Sequence, residues 1–380
     1  MVFYLVYPQP GYRKKTPRSV SRELDLFVVA AFAFRGIIQI EEDDTEMNQE
    51  DLRNRLQSLQ PLSLGTFPTP LVPLRRLSAA FEGPEIWVKR DDLTGLGLGG
   101  NKVRKLNFLM ADAVRQQADL VMTTGAQQSN HARQTAAAAA KLGLPCVLVL
   151  GGTPPLDLPQ GNYLLDSFLG ADVRWAGKRP LMDALEAEAA SFRSAGRSPY
   201  VVPYGGSSAV GICGFVDALV ELVQQAQELD VRFDAIVVAS SSGGTQTGLT
   251  LAAHALKDPV RIVGISIAEP ADPFRRRMSV LAAETRALLG LEFEIEPKDF
   301  IVTDAYLGDG YGVVSDLERD AIRIAARTEG LLVDPVYTGR ALGGLLDLIR
   351  QGTFTGRDRI LFWHTGGMPA LFAYAGALVQ

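Results

Sequence analysis

The chain has 380 residues, more than one ordinary single-core domain, so two lobes or one large lobe with an insert are expected. Apolar residues make up 47% and charged residues 21%, an ordinary globular balance with no fibrous period among its 37 glycines. The formal charge of −5 argues against a nucleic-acid partner, and three histidines with two cysteines in no ligand-like spacing give a metal site no support.

Residues 1–46 read differently from the rest. Arg13, Lys14, Lys15, Arg18 and Arg22 precede an apolar run at 27–34, a layout that superficially resembles a secretory signal. Glu23 and Asp25 interrupt the approach, and the run is too short to span a bilayer, so no membrane role is expected. The segment is taken as an extension, a candidate for disorder, and the folded body starts near Met47.

From about residue 84, β-branched apolar runs alternate with helical patterns. Strands are predicted at 86–89, 120–124, 146–150, 173–175, 200–203, 235–239, 262–267 and 360–363; several are almost continuously apolar, as in a parallel sheet covered on both faces. Between them, Val103, Leu106, Met110, Ala113 and Val114 form one helical stripe, and helices are also predicted at 135–142, 217–229 and 317–328. The alternation predicts an α/β fold of mainly parallel sheets flanked by helices. With no repeat and no long linker, the second lobe is expected as an insertion at 105–218 within a larger lobe formed by 47–104 and 219–380. Cys146 and Cys213 sit in apolar runs and read as buried free thiols of a reducing, cytoplasmic compartment.

Four segments carry chemistry. The first runs from Lys89 to Leu106. Gly95, Gly97 and Gly100 satisfy a dinucleotide glycine pattern, but the acidic residue required about 20 positions later is missing. A phosphate loop fails too, because Asn101 displaces the lysine and Val103 replaces the hydroxyl that would hold magnesium. What remains is Lys102 at the first turn of an amphipathic helix, next to Arg104 and Lys105. The helix dipole and both cations favour a neutral amine, the form that attacks a carbonyl.

The second segment, from Thr123 to Gln134, is a strand end, a polar loop and a helix start, with Ser129 and Asn130 at the capping positions and free N–H groups for an anion such as a carboxylate. The third, Ser240 to Gly248, is a small-residue loop entering a helix and suits a monoester phosphate. The fourth gathers Tyr311, then Asp334-Pro-Val-Tyr337 with Thr338, then His364 with Thr365, at loop or strand ends. Singly, each also has a packing role open to it: Tyr337 as core, His364 as a satisfied buried imidazole.

Taken together, these segments resemble one family: the fold-type II enzymes dependent on pyridoxal 5′-phosphate (tryptophan synthase β-like) that group 1-aminocyclopropane-1-carboxylate deaminase with D-cysteine desulfhydrase. The resemblance runs in order from about Ser63 to Leu371. It also takes in Gly65 to Pro70, Gly161-Asn-Tyr-Leu-Leu-Asp166 and Tyr200-Val-Val-Pro-Tyr-Gly-Gly206. By this resemblance Lys102 is the Schiff-base lysine, and Asn130 meets the cofactor's phenolic oxygen. Ser242, Gly243, Gly244 and Thr245 form the phosphate loop, with Lys105 assisting. Ser129, Asn130 and His131 lie at the substrate with the two tyrosines, Tyr311 and Tyr337, and Ser129, Tyr311 and Tyr337 join Lys102 in the chemistry. Thr338 and Thr365 fall where the family contacts the pyridine nitrogen.

Ring-opening deaminases of this family carry Glu and Leu at those last two positions. Two threonines imply a weaker electron sink and therefore β-elimination from D-cysteine to pyruvate, hydrogen sulfide and ammonia. 1-Aminocyclopropane-1-carboxylate deamination, L-cysteate sulfo-lyase activity and a non-catalytic cofactor-binding role are the alternatives. A homodimer acting on a small amino acid is the expected working form.

Overall fold

The computed structural model describes residues 47–379; the expected extension at 1–46 therefore lies outside the described residues. In chain order the strands are β1 (Leu71–Pro73), β2 (Glu85–Arg90), β3 (Leu120–Gly125), β4 (Cys146–Leu150), β5 (Asp172–Trp175), β6 (Pro199–Val201), β7 (Ala235–Ser240), β8 (Arg261–Ser266), β9 (Ile301–Thr303) and β10 (Arg359–His364). The helices are α1 (Gln49–Gln57), α2 (Arg75–Phe81), α3 (Lys102–Arg115), α4 (Asn130–Lys141), α5 (Gly161–Phe168), α6 (Leu181–Ser194), α7 (Ala209–Glu228), α8 (Gly244–Ala255), α9 (Ala271–Leu289), α10 (Asp316–Glu329) and α11 (Thr338–Arg350), followed by two short turns at the C-terminal end.

Two sheets result. One has the order β1-β2-β10-β7-β8-β9, parallel except for β1; the other has the order β5-β4-β3-β6 and is parallel throughout. All eight expected strands are present within about two residues at each end. The sequence pattern missed β1 and β9, each three residues long and at an edge of the larger sheet, where Pro73 is tolerated because an edge strand need not donate on its outer side. Residues of the smaller sheet lie between 120 and 201. The lobe boundaries expected after 104 and 218 fall inside α3 and α7, which pack on each other.

Both faces of each sheet are covered. Ile236, Val238 and Leu361 face α7, α8 and α9 through Phe215, Leu249 and Phe274, while Val237, Ile265 and Phe362 face α10 and α11 through Ala325, Leu342 and Leu345. Such double burial explains why the central strands lack polar alternation. In the smaller sheet Val121, Leu148 and Leu150 pack on the alanine-rich face of α4.

Two helices depart from expectation: α7 starts at Ala209, eight residues before the predicted 217, and α4 also starts early. Helix α4 begins at Asn130, five residues before the predicted start, because the Ser129 hydroxyl caps it by accepting the Ala132 N–H at 3.1 Å. Its polar first turn faces the space between the sheets and was therefore read as loop. The C-terminal ends of β3, β6, β7 and β10 deliver their loops to that same space, where parallel α/β sheets bind ligands.

Candidate active site

A cleft opens between these loops, and Lys102, Ser129, Asn130, Tyr204, Tyr337 and Thr365 are among the residues lining it. Lys102 is the first residue of α3, and its amine makes no hydrogen bond among the described residues. Burial lowers its pKa to about 8, so a substantial neutral fraction exists near physiological pH. The sequence pointed to Arg104 as a further cause, and the structure corrects this. Arg104 turns away and is neutralised by Asp91 (2.8 Å) and Glu221 (2.9 Å), its charge spent inside a buried network.

That network explains the Lys89-Arg-Asp-Asp segment. Lys89 meets Glu221 at 2.5 Å, and Asp91 accepts from Arg104, Thr69 and the Trp363 indole. Strand β2, helix α3, helix α7 and strand β10 are thereby tied together directly behind Lys102. The glycines before Lys102 serve a related purpose: the carbonyls of Gly97 and Gly99 accept from the buried Arg133 guanidinium, so this loop is anchored to α4.

Opposite lies the small-residue loop, Ser242 to Thr245, at the start of α8. Lys105 reaches it from α3. Burial, then the charge of Lys102, pushes the Lys105 amine well below its usual range, and it donates to the Gly205 carbonyl and the Ser207 hydroxyl, both at 3.0 Å. Ser207 in turn bonds Ser242 (2.8 Å) and accepts the Gly244 N–H (3.2 Å). A Cβ on Gly244 would stand 2.5 Å from the Ser207 hydroxyl and 2.7 Å from the Lys105 amine, so only glycine leaves this cradle open. Asn101 adds an amide contact to Thr245 at 3.1 Å. Sequence reasoning missed Ser207 and Tyr204 as site residues. The signal was the second small-residue run, Gly205-Gly206-Ser207-Ser208, separated from β6 by three residues.

At the start of α4 the backbone N–H groups of Asn130 and His131 have no partner among the described residues, and both residues line the cleft beside Ser129. His131 is buried. Burial, then Lys102 and Lys105, lowers its pKa well below the usual value, so the ring is neutral; Nε2 lies 2.9 Å from the Thr123 hydroxyl, which itself donates to the Val202 carbonyl.

Tyr337 lines the cleft and Tyr311 stands behind it, their hydroxyls 2.7 Å apart. Burial raises both phenols above the usual range, Tyr337 strongly, so each keeps its proton at neutral pH. Asp334 places Tyr337. One carboxylate oxygen accepts the N–H groups of Val336 (2.9 Å) and Tyr337 (3.0 Å), and the other accepts the Thr338 N–H and hydroxyl, both at 2.7 Å. The expectation for Thr338 is thereby corrected. Its hydroxyl donates to Asp334 and accepts the Asp334 N–H at 2.7 Å, and the residue is fully buried at the first position of α11, so it is engaged by Asp334 and does not line the cleft. Thr365 does line the cleft, with its carbonyl held by the Asn101 N–H at 3.0 Å. His364 is a satisfied buried imidazole between the Leu332 carbonyl (3.0 Å) and the Gly366 N–H (3.1 Å).

These residues fit pyridoxal 5′-phosphate. The Gly244 cradle, with the α8 N-terminus, Ser207 and Lys105, suits a phosphate monoester, and the desolvated Lys102 amine suits an aldehyde carbon. The amide of Asn130 and the hydroxyl of Thr365 are polar groups on the walls between them.

Comparison with known proteins agrees. A family profile described as pyridoxal-phosphate dependent enzyme matches residues 62–366. The chain is 44% identical over 312 residues to the D-cysteine desulfhydrases of Salmonella typhi and Salmonella paratyphi A, covering 81% of this chain and 94% of each relative. A crystal structure titled as an ACC deaminase homologue superposes with a TM-score of 0.79 at 39% identity, covering 86% of this chain and 98% of that one. A pyridoxal 5′-phosphate-dependent aspartate racemase, at 18% identity and a TM-score of 0.60 over 85% of this chain and 96% of its own, shares the fold. On this evidence the chain belongs to the family of pyridoxal-phosphate-dependent enzymes, with the fold-type II α/β architecture.

Proposed function

We propose that this enzyme is a carbon–sulfur lyase that converts D-cysteine and water to pyruvate, hydrogen sulfide and ammonia. The observation that carries the reading is the composition of the cleft wall. Hydroxyls, amides and phenols line it, Thr365 among them, and no carboxylate does so among the described residues. A hydroxyl does not hold a pyridine nitrogen protonated as a carboxylate would, so the bound cofactor supplies a moderate electron sink for charge at the substrate α-carbon. That suffices to expel hydrosulfide from Cβ but suits poorly the breaking of a cyclopropane C–C bond. The 44% identity to the Salmonella D-cysteine desulfhydrases supports the same choice.

The roles of the residues follow from their protonation. The free N–H groups at the start of α4 and the Ser129 hydroxyl receive the substrate carboxylate. Lys102, with its amine near 8, takes the α-proton. Tyr337, kept protonated by burial, delivers a proton to the departing sulfur and is replenished by Tyr311. Such acid–base assistance contributes about 10²–10⁴-fold in rate. The Cα–H and Cβ–S bonds break, the released aminoacrylate tautomerises to an imine, and water displaces its nitrogen as ammonia.

The test is a panel assay of the protein loaded with pyridoxal phosphate. D-cysteine should give pyruvate and sulfide in equal amounts and faster than any competitor. Sulfite from L-cysteate, or 2-oxobutyrate from 1-aminocyclopropane-1-carboxylate, at the higher rate overturns the reading; a coloured but inert protein favours a binding role.

Location and assembly belong to the same proposal. Both thiols are buried and unpaired, and burial pushes them to about 12, which supports a reducing cytoplasm where no disulfide is needed. A homodimer is supported by an exposed apolar groove that includes Leu98, Leu164, Met368 and Phe372, and light scattering of the purified protein tests it.

A further inference from the structure

The Gly161-Asn-Tyr-Leu-Leu-Asp166 segment contributes no group to the steps above, yet its Asn162 is fully buried only one residue into α5. Its side-chain Nδ2 donates two hydrogen bonds, to the backbone carbonyl of Gln128 at 3.0 Å and to Oδ1 of Asn130 at 2.8 Å. The Asn162 N–H donates to Gln128 Oε1 at 2.9 Å, and Gln128 Nε2 donates to the Gln160 carbonyl at 3.0 Å.

Two of these acceptors are backbone carbonyls, which can only accept. The Gln160 carbonyl therefore fixes which end of the Gln128 amide is nitrogen, and the Gln128 carbonyl does the same for Asn162. Turning the Asn162 amide over would set its oxygen against the Gln128 carbonyl oxygen. Asn162 Oδ1 is consequently left buried without a partner. With Asn162 presenting an N–H, Asn130 must present its oxygen in reply. The Asn130 Nδ2 group is thereby turned away from α5, with its protons free for the cleft that Asn130 lines. Gly161 makes the arrangement possible: it adopts φ 57°, and a Cβ there would lie 2.5 Å from Gln128 Oε1.

We infer that Asn162 is a positioning residue for the cofactor: it holds the Asn130 amide in the one orientation that donates to, and does not repel, the anionic phenolic oxygen of pyridoxal phosphate. The inference rests on cofactor binding at this cleft and is independent of which amino acid the enzyme consumes. A donor to that oxygen stabilises the anion and lowers the proton affinity of the neighbouring imine nitrogen on Lys102. A carbonyl oxygen in its place does the reverse.

Asn162→Asp is nearly isosteric but has no proton for Asn130. It should accept from Asn130 Nδ2 and turn the amide round. Pyridoxal phosphate affinity, measured by equilibrium dialysis, should fall roughly ten- to hundred-fold, the range of one hydrogen bond to a charged group. The pH midpoint of the cofactor's visible band should move upward. Asn162→Ala, which frees the amide without adding charge, should show a smaller loss in the same direction and serves if the first variant does not fold. On an Asn130→Ala background, Asn162→Asp should cost nothing further, because its effect passes through Asn130. Full additivity of the two losses, or an unchanged affinity and band in both Asn162 variants while Asn130→Ala alone weakens binding, overturns the inference. An Asn130→Ala protein with unaltered affinity and band overturns it differently, by removing Asn130 from the cofactor.

Discussion

The hydroxyls of Tyr311 and Tyr337 meet at 2.7 Å across rings packed edge to face, although Tyr311 lies in a loop and Tyr337 at the start of α11. Both phenols are held above their usual range and keep their protons, so the pair acts as a proton store that meets the cleft through Tyr337 and solvent through the part-exposed Tyr311.

Tyr337→Phe should therefore lower turnover of D-cysteine by about 10²–10³-fold, within the range of general acid catalysis. Tyr311→Phe should cost less, because it removes the replenishing partner and not the donor. With β-chloro-D-alanine, whose chloride leaves without a proton, the Tyr337→Phe deficit should largely vanish. Equal deficits for both substrates would show that the phenol binds substrate and does not act as the acid.

Lys102 provides a pH signature. Its amine titrates at about 8, well below an ordinary lysine, so the reactive neutral form increases as pH rises through 8. Capture of pyridoxal phosphate by the cofactor-free protein, followed by absorbance, should accelerate from pH 7 to 9 and then level off. An unperturbed lysine would keep accelerating past pH 10. Lys102→Ala should give no visible band at any pH.

Ser207 links Lys105, Ser242 and the Gly244 N–H around one hydroxyl. Ser207→Ala should weaken pyridoxal phosphate binding by roughly ten-fold, the worth of one charge-assisted hydrogen bond, while leaving the thermal midpoint of the cofactor-free protein nearly unchanged. A dialysis titration with inorganic phosphate as competitor would report the same loss for phosphate alone.

Glu221 holds two buried cations. Burial pushes its carboxyl up, but Arg104 and Lys89 outweigh burial and hold it at about 2, below the ordinary 4.5. Its stabilising contribution is thus complete above pH 4.5 and is lost as pH falls towards 2. Glu221→Gln, which leaves Lys89 without its carboxylate and Arg104 with Asp91 alone, should cost about 3–5 kcal/mol at pH 7 by urea unfolding, and the gap to wild type should narrow below pH 4.

Much of this molecule is legible along the chain. Runs such as Cys146–Leu150 and Ala235–Ser240 are apolar on both faces, as parallel strands between helices require, and the glycine, serine and threonine runs that follow strands mark loops suited to a phosphate and a carboxylate by local rules of capping and backbone freedom. The edge strands β1 and β9 were too short to leave a periodicity. The early start of α4 was hidden because its polar residues face a cleft and not water.

What the sequence determined by itself was the set of loops that carry chemistry and the lysine that ends one of them, because those features depend on neighbours a few residues away. Tertiary structure alone decided which partner each polar side chain meets. Thr338 is occupied by Asp334, Arg104 is neutralised by Glu221 more than a hundred positions away, Ser207 joins Lys105 to Ser242, and Asn162 orients Asn130 across two helices. A hydroxyl or an amide has the same appearance in a sequence whether free or engaged; only the groups packed against it fix where its proton points.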